Sequence, residues 1–258
     1  VRRFFMSLEK TGPALFEARH ARFLARPQLR ERRLISLNLT PRESKVLFLL
    51  RLMRDGAWDQ AFVSFGGFGQ NRRGKQVHVR TWTEEFAGLA EQEERLAGLG
   101  RFILGEDGDN TSPTYATPVH DVDLPEHDRS WFTVVPETEM RDRVSRITEK
   151  PCKPLVSFHP LIFLGNPGAL GHLRDLGFQT FEDFFDERYD EETDPRRRFD
   201  MVYDQVLALV RADEADLARR SAQIAERLVH NARFGLTDLP RIFRKKRDYG
   251  LLRDILQA

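Results

Sequence analysis

Cysteine is almost absent: Cys152 is the only one in 258 residues. A lone thiol excludes an intramolecular disulfide framework and a cysteine-rich zinc fold, and it fits a reducing compartment. A charge excess is missing too. Lys and Arg number 41 against 40 Asp and Glu, a formal net charge of +1. That balance lacks the cationic field of a dedicated nucleic-acid binder, so no nucleic acid is expected as a partner. There is no apolar run of about 18 residues, the length that would mark a membrane-spanning helix, and no signal-peptide pattern. A cytoplasmic location, at the inner face of the membrane if the protein meets one, is the expectation.

What is present is alternation. Leu34-Ile35-Ser36-Leu37-Asn38 reads as a buried strand that turns at Pro41. Across 42–55, Val46, Leu47, Leu49, Leu50 and Met53 recur at helical spacing, and Gly56 stops the helix. Phe62-Val63-Ser64-Phe65 then reads as a second strand, which completes a β-α-β unit. Residues 1–30 read as a helix or an irregular basic arm. The middle, 71–129, is of mixed charge, with a helix-like stretch at 84–99 and a turn-rich loop at 105–113.

The alternation resumes with a strand at 131–135, a helix over about 149–158 capped by Thr148, a strand at 161–164 and a helix at 169–176 stopped by Gly177. A further short strand is expected at 178–181. Beyond Asp194-Pro195 the stripes Phe199, Val202, Tyr203, Val206, Leu207, Val210 and Leu217, Ile224, Leu228, Ala232 are helical. The pattern predicts an α/β fold with parallel strands, divided near residue 125 into 1–125 and 126–258, the second part ending in helices.

Ligands of open α/β folds bind beyond the carboxyl ends of the strands. Those ends offer Asn38, Arg42 and Ser64 in the first part, and Glu137, Glu139, Asn166 and Gly168 in the second. The segment Thr148-Glu149-Lys150 carries most information. If Thr148 caps a helix, the first-turn N–H groups and Lys150 favour a phosphate or diphosphate, and Glu149 can accept from sugar hydroxyls. The plainer reading is a helix start with solvated charges.

The block Arg146-Ile147-Thr148-Glu149-Lys150-Pro151-Cys152-Lys153-Pro154-Leu155, followed by Pro160-Leu161-Ile162-Phe163-Leu164-Gly165, resembles the donor-binding motif of the α-1,3-fucosyltransferases. It is also similar to a looser group of bacterial glycosyltransferase-like proteins. In that group a Thr-Glu-Lys-x-x-Lys-Pro motif leads to a Gly-x-Pro-Gly turn and a Leu-Arg-x-Leu-Gly-Phe-x-Thr-Phe run, here residues 173–181. The resemblance implies a GT-B architecture, with two Rossmann-like domains facing a cleft. It implies transfer of a sugar from a nucleotide sugar, without metal or other cofactor, to a glycan or lipid-linked glycan acceptor.

By the same resemblance Glu149 binds the ribose, Lys150 the diphosphate, and Glu137 or Glu139 fills the upstream acidic position; the positive charge that a departing diphosphate needs can come from Lys150, the adjacent helix N-terminus and Lys153 or Arg42. The catalytic base has no counterpart in this sequence. Arg146 replaces an aromatic residue and Pro151 a bulky apolar one, so the resemblance does not fix the base or sugar. The alternative is a non-catalytic nucleotide- or carbohydrate-binding module of the same fold. The start at Val1 and a length short for two complete Rossmann domains lead to the expectation of a truncated first domain.

Weaker signals remain. Asp121-Val122-Asp123, near His120 and His127, matches an Asp-x-Asp metal motif but reads as a linker loop. Gly66-Gly67-Phe68-Gly69 lacks the Lys-Ser/Thr ending of a phosphate loop. His159 and Cys152 read as structural. Arg244, Lys245, Lys246 and Arg247 read either as a patch for peripheral contact with an anionic membrane or as the solvated face of a terminal helix.

Overall fold

Strand β1 of the sheet is the chain's most revealing segment, because Leu34, Ile35, Ser36 and Asn38 are all fully buried. A strand buried on both faces needs a layer of helices above it and another below. In this computed structural model residues 1–26, 29–69, 81–104, 124–141 and 147–248 are described. They run through α1 (Arg2–Ser7), α2 (Gly12–Leu24), β1 (Leu34–Asn38), α3 (Glu43–Arg54), β2 (Ala61–Phe65) and α4 (Ala90–Leu99). Then come β3 (Phe132–Pro136), α5 (Cys152–Val156), β4 (Leu161–Leu164), α6 (Ala169–Asp175), α7 (Pro195–Arg211), α8 (Glu214–Gln223) and α9 (Ala225–Arg233). A π-helical turn (Phe234–Asp238) leads into α10 (Leu239–Asp248).

The strands form one parallel sheet in the order β2-β1-β3-β4, with Leu34 opposite Ala61 on one side and Phe132 on the other, and Thr133 opposite Leu161. The α/β expectation therefore holds. The two halves do not, however, form separate sheets among the described residues: β1 and β3, from either side of position 125, are hydrogen-bonded neighbours. A two-stranded unit leaves buried N–H and C=O groups unpaired along its inner edge, and joining the two units removes both edges at once.

Two helical layers enclose the sheet. On one face α3 meets α7, where Phe48 packs edge-on against Tyr203 and Arg51 reaches Asp200 at 2.6 Å. The other face carries α5, covered by α2 and α9. There Arg19 donates to the Val156 carbonyl at 3.0 Å, and Arg26 donates to the Ser157 and Phe158 carbonyls at 2.7 Å each. The N-terminal arm is thus helical and serves as part of this layer.

Local expectations fail where side-chain demands compete with periodicity. The helix expected from 149 begins only at Cys152, because the Thr148 hydroxyl donates to Glu137 and is not an N-cap. The expected strand at 178–181 does not form and the segment is irregular: Phe178 and Phe181 are buried, yet the Phe178 N–H closes onto Leu173 at 3.0 Å. The helix expected from 84 starts at Ala90.

Gly66, just after β2, presses directly on β1's exit. A Cβ there would stand 1.6 Å from the Leu39 carbonyl oxygen, which belongs to backbone and cannot swing away. Gly66→Ala is therefore expected to destabilise the fold by more than about 3 kcal/mol, read by urea unfolding. A loss below about 1 kcal/mol would show that the close approach is not obligatory.

Candidate functional site

In the order β2-β1-β3-β4 the connection leaving β1 runs to one side and the connection leaving β3 to the other. A gap opens above the carboxyl ends of this central pair, the switch point where open parallel sheets take ligands. A cavity of about 230 Å³ lies there. Leu37, Leu39 and Thr40 form one wall, and Thr133 to Pro136 with Thr138 the other. Lys45 closes it from α3, and Glu149, Lys150 and Lys153 from the segment entering α5.

Glu137 is not part of the cavity wall, but it holds the wall residue Lys150 in place. It is almost completely buried, and Lys150 Nζ donates to its Oε2 at 2.8 Å. The Thr148 N–H donates to Oε1 at 3.1 Å, and the Thr148 hydroxyl donates to the same oxygen. Burial alone would push the Glu137 carboxyl upward. The Lys150 charge, with hydrogen bonds from Lys150 and Thr148, outweighs it and holds the group below the usual carboxylate range. Thr148 also accepts from the Lys150 N–H at 3.3 Å, which bends the chain so that the ammonium returns toward the sheet.

The alternative left open by spacing is resolved in space. Glu137, not Glu139, meets the Thr148 to Lys150 segment. Glu139 instead holds Arg141 at 2.6 Å, and that hydrogen bond, working against burial, draws its carboxyl down to about 2.

Lys45 was missed because it sits within an apolar helical stripe. It is 2% exposed, on the first turn of α3, and its side chain faces the cavity. Burial and the neighbouring Lys150 charge push its pKa well below the ordinary lysine value. Among the described residues the acid acting on it is Glu137, which is already ion-paired with Lys150. The only signal for it in the sequence is a lysine between Ser44 and Val46, two turns of the chain beyond a strand end.

The other candidates are placed as follows. Arg42 is exposed at the start of α3 and lines a neighbouring pocket. Asn38 is buried and donates to the Ser36 carbonyl at 3.3 Å, outside the cavity wall. Ser64 lies on the β2 edge, where its hydroxyl accepts from the Leu104 N–H at 3.0 Å. Asn166 donates to the Pro167 carbonyl at 3.2 Å. Gly168, in the left-handed region, opens α6, but the Asp190 carboxylate already accepts from the Ala169 and Leu170 N–H groups at 3.0 Å each. This strand-to-helix corner thus carries its own anion, while the one at α3 carries a lysine. Asn38, Ser64, Asn166 and Gly168 are accordingly supports of the strand ends, not walls of the cavity.

His159 is buried between the Thr133 hydroxyl at 2.7 Å and the Ser130 carbonyl at 2.9 Å, a structural position. Cys152 is buried, which raises its thiol pKa and removes it as a nucleophile. Asp121, Asp123, His120 and Arg146 lie outside the described residues. Among the described residues no group of three or more acidic, His or Cys side chains is placed to hold a metal ion, and no helix is long and apolar enough to cross a membrane. Arg244 is paired with Glu9 at 2.5 Å, Lys245 is exposed, and the Lys246 and Arg247 side chains lie outside the description. No family model, curated protein or solved structure matches the chain.

Proposed function

We propose that the cavity at the switch point binds the diphosphate of a nucleotide sugar and that the protein is a glycosyltransferase. The observation that carries this reading is the convergence of Lys45, Lys150 and Lys153 on one cavity between the central strands. The nearby buried acid, Glu137, serves to aim Lys150. A neutral ligand gives no reason to bury Lys45 beside the Lys150 ammonium, which disfavours its charged form. A diphosphate does, since its charge repays the desolvation of both.

The likeness of the Thr-Glu-Lys block to fucosyltransferase donor motifs supports the same reading, with Glu149 on the cavity wall suited to ribose hydroxyls. In the two-domain GT-B scheme this doubly wound sheet corresponds to the nucleotide-binding half. In transfer, the acceptor oxygen bonds to the anomeric carbon as the bond to the diphosphate oxygen breaks. The diphosphate departs with the electron pair beside the lysines, and the acceptor proton passes to a base.

A second reading, a binding module without transfer, is favoured by one observation. Glu137 and Glu139 are committed to Lys150 and Arg141, so neither is placed to take that proton.

A thermal-shift panel of GDP, UDP, CMP and dTDP tests the first reading. At least one nucleoside diphosphate should raise the melting temperature, and no stabilisation by any of them would overturn it. Lys45→Met should weaken that binding about tenfold or more while leaving the unligated protein no less stable, because it replaces a buried amine, whose charged form burial and Lys150 disfavour, by an apolar chain. Release of free sugar or transfer above background excludes the binding-module reading.

A further inference from the structure

Thr138 is shared by two cavities. The second, also about 230 Å³, opens between the first turn of α3 and the segment that follows β3. Its wall includes Arg42, Trp82, Met140 and Arg141, together with the carboxylates of Glu43 and Glu139.

Both carboxylates are already engaged. Glu43 accepts from the Thr81 hydroxyl at 2.7 Å and from the Thr81 and Trp82 backbone N–H groups, which pins Trp82 over the helix start. Glu139 accepts from Arg141 Nε at 2.7 Å and Nη2 at 2.6 Å, and from the Arg141 N–H at 3.0 Å. Arg42 differs from Arg141. Its side chain is exposed, and among the described residues no carboxylate is paired with it.

With the oxygens of both carboxylates already taken up by hydrogen bonds, the charged group left to meet a ligand is the Arg42 guanidinium, which favours an anion. The guanidinium fork also matches a carboxylate through two parallel hydrogen bonds. Trp82 is fixed edge-on to Phe199, with ring centroids 5.9 Å apart, and with Met140 it gives the pocket an apolar side on which the C–H face of a pyranose can rest.

We infer that this second pocket is a sugar subsite and that Arg42 makes it select a sugar carrying a carboxylate. The inference rests on the proposed nucleotide-sugar reading of the adjoining cavity. The acidic sugar has two sources, the sugar of the donor itself or the terminal residue of the acceptor.

Titration calorimetry on the full chain separates these sources. One arm compares the stabilising nucleoside diphosphate linked to glucuronate with the same nucleotide linked to glucose. The other compares free glucuronate with free glucose in the presence of saturating nucleotide sugar. About tenfold tighter binding of the acidic sugar in the first arm assigns the subsite to the donor, and in the second arm to the acceptor. In either case Arg42→Gln should bring the acidic sugar to the affinity of the neutral one.

Equal affinities for acidic and neutral sugars in both arms overturn the inference, as does discrimination that survives in Arg42→Gln. If nucleoside diphosphates bind but this discrimination is absent, only the subsite falls. If no nucleoside diphosphate binds, the subsite and the site reading fall together.

Discussion

Lys150→Ala is expected to abolish nucleoside diphosphate binding and to lower folding stability by about 3 kcal/mol, the lower end of the range for removing one partner of a buried ion pair. The lower end applies because Lys150 is 28% exposed at its side chain while Glu137 is 2% exposed. Losing the ammonium leaves Glu137 buried with hydrogen bonds from Thr148 and from the Thr138 N–H at 3.3 Å but no charged partner among the described residues. Adding Glu137→Gln to Lys150→Ala should restore most of the stability, since a neutral amide can keep a Thr148 contact, but none of the binding. Urea unfolding and calorimetry read the two effects separately, and a Lys150→Ala protein as stable as the parent would refute the pairing.

The pH dependence follows from the direction of the Glu137 shift. In the parent protein its carboxyl is held below the unfolded value of about 4.3, so its contribution is present above that pH and fades as pH falls through the lower, folded pKa. In Lys150→Ala, burial is the leading influence left and moves the folded pKa upward. The variant's deficit should therefore shrink on acidification from pH 7 toward 5, as the buried carboxylate takes up a proton. A deficit that grows over this interval would contradict the assignment.

Arg198→Met should have an effect as large or larger, about 4 kcal/mol or more, without touching the lysines. Arg198 is 1% exposed. It donates to the Gly165 carbonyl at 2.7 Å and also to the Met140 and Glu192 carbonyls. These oxygens belong to the loop after β3, the turn after β4 and the approach to α7, so one planar side chain fixes three segments at the carboxyl end of the sheet. Methionine fills similar space but leaves three acceptors buried and unmatched. Arg198→Lys should recover less than half of the loss, because an ammonium cannot span three divergent carbonyls. A melting shift equivalent to less than about 1 kcal/mol for Arg198→Met would show that water replaces the guanidinium.

The elements most legible in the sequence are those whose side chains answer to one requirement. β1, α3 and β4 lie within a residue of their expected bounds, since their apolar spacing reports burial directly. Thr148 shows the limit. Its position before Glu149 suits a cap, but a buried carboxylate eleven positions earlier captures its hydroxyl, and no local pattern contains that competitor. Pairing of β1 with β3 is equally invisible, because strands buried on both faces carry no alternation to mark which neighbour they take. For the site, Glu149, Lys150 and Lys153 were legible from one contiguous motif. Lys45 was not, because its meaning arises only when α3 is laid beside that motif.

The direct pairing of β1 with β3 has a consequence for the chain as it is made. By the time β2 has emerged from the ribosome, Leu39 and Lys45 exist, but Glu137 and Lys150 have not been synthesised. A ligand of the proposed site therefore cannot assist the early half to fold, and completion of the sheet and completion of the pocket become a single late event. Until then the inner edge of β1 is an unpaired template, so a chain that stops before β3 should be captured by aggregation and not persist as a smaller folded unit.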